Sequence, residues 1–149
     1  MIDAHMDILR KGVEEWNLWR LTNHNIRPDL TGAVLKNMDL TDCDLSFVDM
    51  DLITFHCVNL SKARFYYSTT DNAHFEKSQL LEALFLDASL DNTVFDKCDL
   101  TKAVFKQSNL TSTLFFECSL CQTDFSHTYV SEAKFNRNKM AGAIFINSY

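Results

Sequence analysis

Glycine and proline are nearly missing: the 149-residue chain has 3 Gly and 1 Pro. Taken alone, that scarcity suggests long helices with few turns. Long apolar runs are also missing, so no membrane-spanning helix is expected. Bases are outnumbered, 14 Lys and Arg against 20 Asp and Glu, for a net charge of −6. That balance argues against a direct nucleic-acid binder that neutralises phosphates. The N-terminus lacks the charged-then-apolar order of a secretory signal, so a cytoplasmic location is expected. What is present is apolar: 46% of residues, with 12 Phe, a globular composition of about one domain.

The apolar residues follow one rule. Every fifth residue from Leu30 to Phe145 is apolar, except Thr70. All Phe but Phe47 and Phe116 fall in this register. Two positions before each of these centres stands a second series, mostly small: Ala33, Cys43, Ala63, Ser68, Ala73, Ser78, continuing to Thr128, Ala133 and Ala143. Met38, Val48, Ile53 and Val58 are larger but apolar, and Pro28 and Asn138 lie near the two ends. A five-residue period matches neither a helix nor a straight strand. It matches a chain that turns a corner every five residues. Residues two apart then point the same way and fill one interior, while the other three of each unit face water.

Such units as Met38-Asp39-Leu40-Thr41-Asp42, Val58-Asn59-Leu60-Ser61-Lys62 and Cys98-Asp99-Leu100-Thr101-Lys102 resemble the A-(D/N)-L-x-x unit of the pentapeptide-repeat family. The resemblance covers roughly residues 26–145. It implies an all-β solenoid, a right-handed quadrilateral β-helix with four units per 20-residue coil, hence about six coils over residues 26–149. It also implies corners built from ordinary polar residues, which removes the helical inference from scarce Gly and Pro. Coils should stack at about 4.8 Å, giving a rod of roughly 30 Å. Two of the four columns are Phe walls, Phe55 to Phe135 and Phe65 to Phe145, and the other two hold Leu, Met, Val or Thr70. Thr70 and Asn138 break the pattern and are expected to loosen their coils.

A β-helix has raw ends that need cover. Residues 1–25 are expected to form a short N-terminal capping α-helix. Ile2, Met6, Leu9, Val13 and Trp16 have helical spacing, Asp3 is a candidate N-cap, and Gly12 weakens the helix. A partner-binding helix is the alternative. Coil 1 has Leu35 and Leu45 where later coils have Phe, which leaves room for the cap. At the other end only Ile146-Asn147-Ser148-Tyr149 follow Phe145. Some family members dimerise through C-terminal coils, so Ile144, Ile146 and Tyr149 are candidates for a homodimer end.

No active site is apparent. The interior is filled, and no Gly-rich phosphate loop exists. Enzymatic activity, a cofactor and a metal site are therefore not expected. His56 should stack beside Glu76 and Asp96, which reads as a solvated ladder of mixed charge. Cys118-Ser119-Leu120-Cys121 has metal or redox spacing, but in register Cys118 points inward and Cys121 outward. Cys98 and Cys118 are close enough in register to permit a disulfide, although an odd, mostly inward set of 5 Cys reads as reduced core thiols.

Two surfaces stand out. Face 1, centred on residues 30, 50, 70, 90, 110 and 130, carries Asp29, Asp49, Asp51, Asp71, Asp91 and Glu132 without a base, a charge equal to the whole −6. Some family members imitate DNA and bind DNA gyrase, a type II topoisomerase. The resemblance therefore implies that an acidic ladder of this kind can act as a DNA mimic. Face 4, centred on residues 45, 65, 85, 105, 125 and 145, turns Phe47, Tyr66, Tyr67, Leu84 and Leu86 outward, a pattern suited to a protein partner. The expected function is non-catalytic: flat β-faces presented for protein–protein interaction, with gyrase binding as the alternative.

Overall fold

The computed structural model describes residues 2–149, and side chains from Ala4 onward. The capping role expected of Asp3 lies outside the described side chains. From residue 28 on, the chain is a right-handed quadrilateral β-helix. One strand per coil builds a parallel sheet on face 2, in the order β1 to β6. The strands are β1 (Val34–Lys36), β2 (Thr54–His56), β3 (His74–Glu76), β4 (Val94–Asp96), β5 (Leu114–Phe116) and β6 (Lys134–Asn136). Register advances by one coil at each step: Leu35 pairs with Phe55, then Phe75, Phe95, Phe115 and Phe135. The other three faces pair through single bridges, such as Asp29 with Asp49, Asp39 with Asn59 and Asp44 with Arg64.

Strands are short because each corner takes two of five residues. The second corner residue adopts the left-handed conformation in coil after coil, and it is seldom glycine: φ is 58° at Phe47, 60° at Leu52, 54° at Cys57 and 55° at Tyr67. A left-handed residue with a Cβ costs about 1–2 kcal/mol. The ladders on either side over-determine the corner and hold it there. Leu52, 61% exposed, packs little to offset that cost. Leu52→Gly is therefore expected to stabilise the fold by about 0.5–1 kcal/mol, net of the extra unfolded-state entropy of glycine. Gly142→Ala should do the opposite, by about 1–2 kcal/mol, because φ is 75° and the new Cβ would lie 3.2 Å from Gln122 Cγ. Urea midpoints of the two variants check both signs.

The consensus acid or amide before each centre has a local task. Its side chain accepts the backbone N–H two residues on, forming an Asx turn that opens the corner. This occurs at Asp29–Thr31, Asp39–Thr41, Asp44–Ser46, Asn59–Ser61, Asp99–Thr101, Asn109–Thr111 and Asp124–Ser126. Where the later residue is Thr, its hydroxyl can add a second bond, 2.6 Å at Asp39, Asp99 and Asn109. These donors favour the carboxylate form. The Thr41 hydroxyl and backbone N–H hold Asp39 below the usual carboxylate range, and the Thr31 backbone does so first for Asp29. At Asp124 burial pushes upward, but Ser126 and Lys106 outweigh it and the net shift is down. A carboxyl with a lowered native pKa contributes stability above its unfolded pKa of about 3.9 and loses it as pH falls through the native value. Acid melts should thus show stability falling below pH about 4, and Asp39→Asn, which keeps the turn acceptor, should flatten that fall.

Inside, each Phe column stacks ring on ring, with centroids 4.3 Å apart for Phe65 and Phe85 and 5.2 Å for Phe105 and Phe125. The two columns also meet edge to face, at 6.2 Å for Phe85 and Phe95 and 5.7 Å for Phe115 and Phe125. The walls therefore touch through the middle of the rod, both favoured aromatic geometries at once.

The small inward residues tie coil to coil. Thr93, Thr113, Thr123 and Thr128 donate their hydroxyls to Thr70, Leu90, Leu100 and Phe105 carbonyls of the preceding coil. Cys98 and Cys118 do the same through their thiols, to Phe75 and Phe95. This corrects the expectation that Asn138 loosens its coil. The corner after face 2 lacks the i to i+3 backbone bond that closes every corner after faces 1 and 3. Its open N–H groups are taken by side chains of the next coil: Val58 N–H by Ser78, Cys98 N–H by Cys118 and Cys118 N–H by Asn138 at 2.8 Å. Asn138 also donates to the Phe115 carbonyl. Thr70 is fully buried, and its hydroxyl donates to the Ser89 carbonyl at 3.3 Å, so it is satisfied as well.

The expected single capping helix is two: α1 (Ile2–Arg10) and α2 (Val13–Thr22). Gly12, at φ 113°, breaks the run rather than merely weakening it. Together the helices cover coil 1 on the side of faces 4 and 1. Met6, Leu9 and Trp16 join the same buried cluster as Leu30, Leu35 and Leu45. Their polar side chains substitute for a missing coil. His5 Nδ1 accepts the Asp29 N–H, Asn17 accepts the Asp44 N–H and donates to the Asp42 carbonyl, and Trp16 Nε1 donates to the Asp44 carbonyl.

Candidate protein-binding faces

The fold brings Asp51, Asp71 and Asp91 into one column of face 1, but they are not a bare row of charge. Asp51 accepts the Asp71 backbone N–H at 3.0 Å, and Asp71 accepts the Asp91 N–H at 2.9 Å and the Ser89 hydroxyl at 2.7 Å. Asp49 pairs with Arg27, a base just outside the face, and Asp29 is held in its Asx turn. The repulsion expected of stacked carboxylates is thus relieved by backbone donors that the sequence pattern does not display. Of the five, Asp91 alone lacks a side-chain hydrogen bond or ion pair among the described residues.

Face 4 separates into a corner and a flat strip. Phe47 and Tyr67 stand at left-handed corner positions, 48% and 52% exposed, with rings stacked at 5.0 Å. Tyr66 beside them is half-buried, as are Leu84 and Leu86. Leu84 lies on the strip itself, bridged to Arg64 on one side and Val104 on the other. Leu81, at the neighbouring corner, extends the apolar surface, and with Val104 it escaped the sequence reading. Both were visible there as outward apolar residues one coil from, or beside, Leu84. Lys62, Arg64, Glu82 and Lys102 rim a shallow groove against Leu84 and Val104.

At the C-terminal end, Ile146 is 63% and Tyr149 69% exposed, and Ile144 and Phe145 are also exposed. Ile144 is bridged to Asp124, and Tyr149 stacks on Tyr129 at 5.6 Å, so both continue ladders of the rod. The structure places His56 Nδ1 2.7 Å from Glu76, with Asp96 next in register. That ion pair and Lys77 lower the Glu76 pKa, the His56 hydrogen bond being the larger cause. Among the described residues no three His, Cys, Asp or Glu side chains are grouped to hold a metal. Cys98 and Cys118 are buried free thiols; burial and the neighbouring thiol push Cys98 upward, against nucleophilic use. No helix among the described residues is long and apolar enough to cross a membrane.

A parallel four-sided solenoid with one five-residue unit per side defines the class of protein. Residues 27–65 match the description "Pentapeptide repeats (8 copies)" and residues 68–145 match "Pentapeptide repeat region". The chain belongs to the pentapeptide-repeat family. Among solved structures it is similar to a trypsin-treated variant of QnrB1, described as a plasmid-mediated fluoroquinolone resistance protein. The TM-score is 0.52 at 18% identity, covering 83% of this chain and 79% of that one. Full-length QnrB1 gives 0.51 at 16% identity, over 80% and 78%. The pentapeptide-repeat protein Rfr23 of the cyanobacterium Cyanothece 51142 gives 0.48 at 12%, over 87% and 97%. The first two likenesses show the fold. No curated protein matches the chain.

Proposed function

We propose that this protein is a non-catalytic rod in the cytoplasm that presents face 4 to a protein partner. The observation that carries the reading is the exposed Phe47–Tyr67 stack, continuous with Tyr66, Leu84 and Leu86 on a rigid β-surface. Aromatic residues fixed by a backbone ladder lose little entropy on binding, the property of interface anchors. Affinity capture with wild type, Tyr66→Ala/Tyr67→Ala and Leu84→Lys tests it. The partner recovered by wild type should be lost with both variants, and unchanged recovery overturns the reading.

A second reading, imitation of DNA toward DNA gyrase, draws on the Asp51, Asp71 and Asp91 column. The bonds that hold these carboxylates in line also fix their spacing. A supercoiling assay decides it: inhibition or protection by wild type, abolished in Asp51→Lys/Asp71→Lys/Asp91→Lys, supports it, and no wild-type effect removes it. We also propose that Ile144, Ile146 and Tyr149 join two copies end to end, which would cover the apolar last coil. Light scattering at micromolar concentration should give a dimer; monomer alone overturns this.

A further inference from the structure

Three buried polar side-chain atoms lack a partner among the described residues: Arg20 Nε, Ser46 Oγ and Asp96 Oδ1. Two of the three belong to residues lining one cleft, of about 370 Å3, between α2 and face 4. Buried polar groups are satisfied as a rule, and an orphan marks a missing partner. Arg20 and Ser46 are each only 7% exposed. Arg20 Nη2 donates to the Ser46 carbonyl at 2.9 Å and Nη1 to the Ile26 carbonyl at 3.0 Å, so the guanidinium is fixed and its Nε–H is left free beside the Ser46 hydroxyl. Neutral carbonyls, not a carboxylate, hold this cation. The nearby Asp44 is engaged elsewhere: it accepts the Ser46 N–H and lies 3.7 Å from Arg64. Arg64 and His24 also line the cleft, which makes it a cationic spot on a chain of net charge −6. Its remaining wall is apolar, from Leu21, Phe47 and Tyr66.

We infer that this cleft binds a small organic acid, a free carboxylate attached to one aromatic or branched apolar group. The carboxylate accepts from Arg20 Nε–H and the Ser46 hydroxyl under the field of Arg64, and the apolar group lies against Phe47 and Tyr66. Charge-assisted bonds to a preformed guanidinium are the strong kind, and the volume falls within the range of ligand pockets. The wider face 4 need not bind anything for this site to work.

The test is an NMR titration of the full, 15N-labelled chain with phenylacetate. Saturable shifts are expected at the Arg20 Nε–H and at the Ser46 and Phe47 amides. Phenylacetamide, of the same shape without the charge, should bind at least about ten-fold more weakly. Arg64→Gln and Ser46→Ala should each weaken phenylacetate several-fold, while Tyr67→Ala, at the exposed corner, leaves it unchanged. Arg20→Lys removes Nε but also loosens the cap, so the first two variants carry the result. Equal shifts with the amide, or none at Arg20 and Ser46, overturn the proposal. A capped peptide carrying one Glu that binds more tightly than phenylacetate overturns the free acid as the occupant.

Discussion

Phe95→Ala is expected to destabilise the fold by about 4 kcal/mol. Phe95 is fully buried at the middle of its column. Its ring stacks on Phe75 at 4.6 Å and Phe115 at 5.0 Å, and meets Phe85 at 6.2 Å and Phe105 at 6.0 Å edge to face. Four ring contacts are lost together. The cavity cannot close, because the ladder bonds of β3, β4 and β5 fix the backbone spacing on both sides. Phe145→Ala removes the same side chain from the last coil, where the ring is already 40% exposed and has no coil beyond it. Its cost should be about 1–2 kcal/mol. Urea unfolding followed by circular dichroism measures both, and a similar cost at the two positions would mean that the ring contacts do not set the stability.

The contrast between these positions was legible in the sequence, since the five-residue register identifies inward rings and the place of each coil. The fold could be read because its rule is repeated: a misassigned unit is outvoted by its neighbours. What the register conceals is how polar groups are satisfied. Asn138 reads as a defect until the open corner after face 2 is seen, where Ser78, Cys98, Cys118 and Asn138 serve the same N–H groups. Asp51 and Asp71 read as repelling charges until the N–H of the next coil is placed on each. Both involve hydrogen bonds between residues one coil apart, whose partners depend on whether a corner closes its own backbone bond. The outward residues Phe47, Tyr66, Tyr67, Leu84 and Leu86 were placed on the surface by register alone. That Phe47 and Tyr67 stack at a left-handed corner was not visible, because nothing in a hydrophobic pattern reports φ. Gly12 stood in plain sight, but one glycine within a helical pattern does not distinguish a weakened helix from two helices.

Trp16→Ala should be nearly as costly as the central Phe, about 3–5 kcal/mol, and should also change the solubility of the protein. Trp16 is fully buried, packed beside Trp19 at 5.6 Å and over the Leu-lined first coil. Its indole donates 2.8 Å to the Asp44 carbonyl, a group that every later coil offers to the N–H of a preceding one. Truncation therefore opens a cavity and leaves a strand-edge acceptor bare. Trp16→Phe separates these effects: the ring volume is largely kept, and the lost bond alone should cost about 1–2 kcal/mol. With the cap loosened, Asn17 and His5 no longer hold the Asp44 and Asp29 N–H groups. The exposed edge can then pair with another chain, as uncovered edges do. Thermal melts read the first effect, and light scattering after mild heating reads the second, with Trp16→Ala expected to form large particles at a temperature where Trp16→Phe remains clear. If Trp16→Ala melts at a lower temperature without scattering, the helices stabilise the rod but are not its guard against edge pairing.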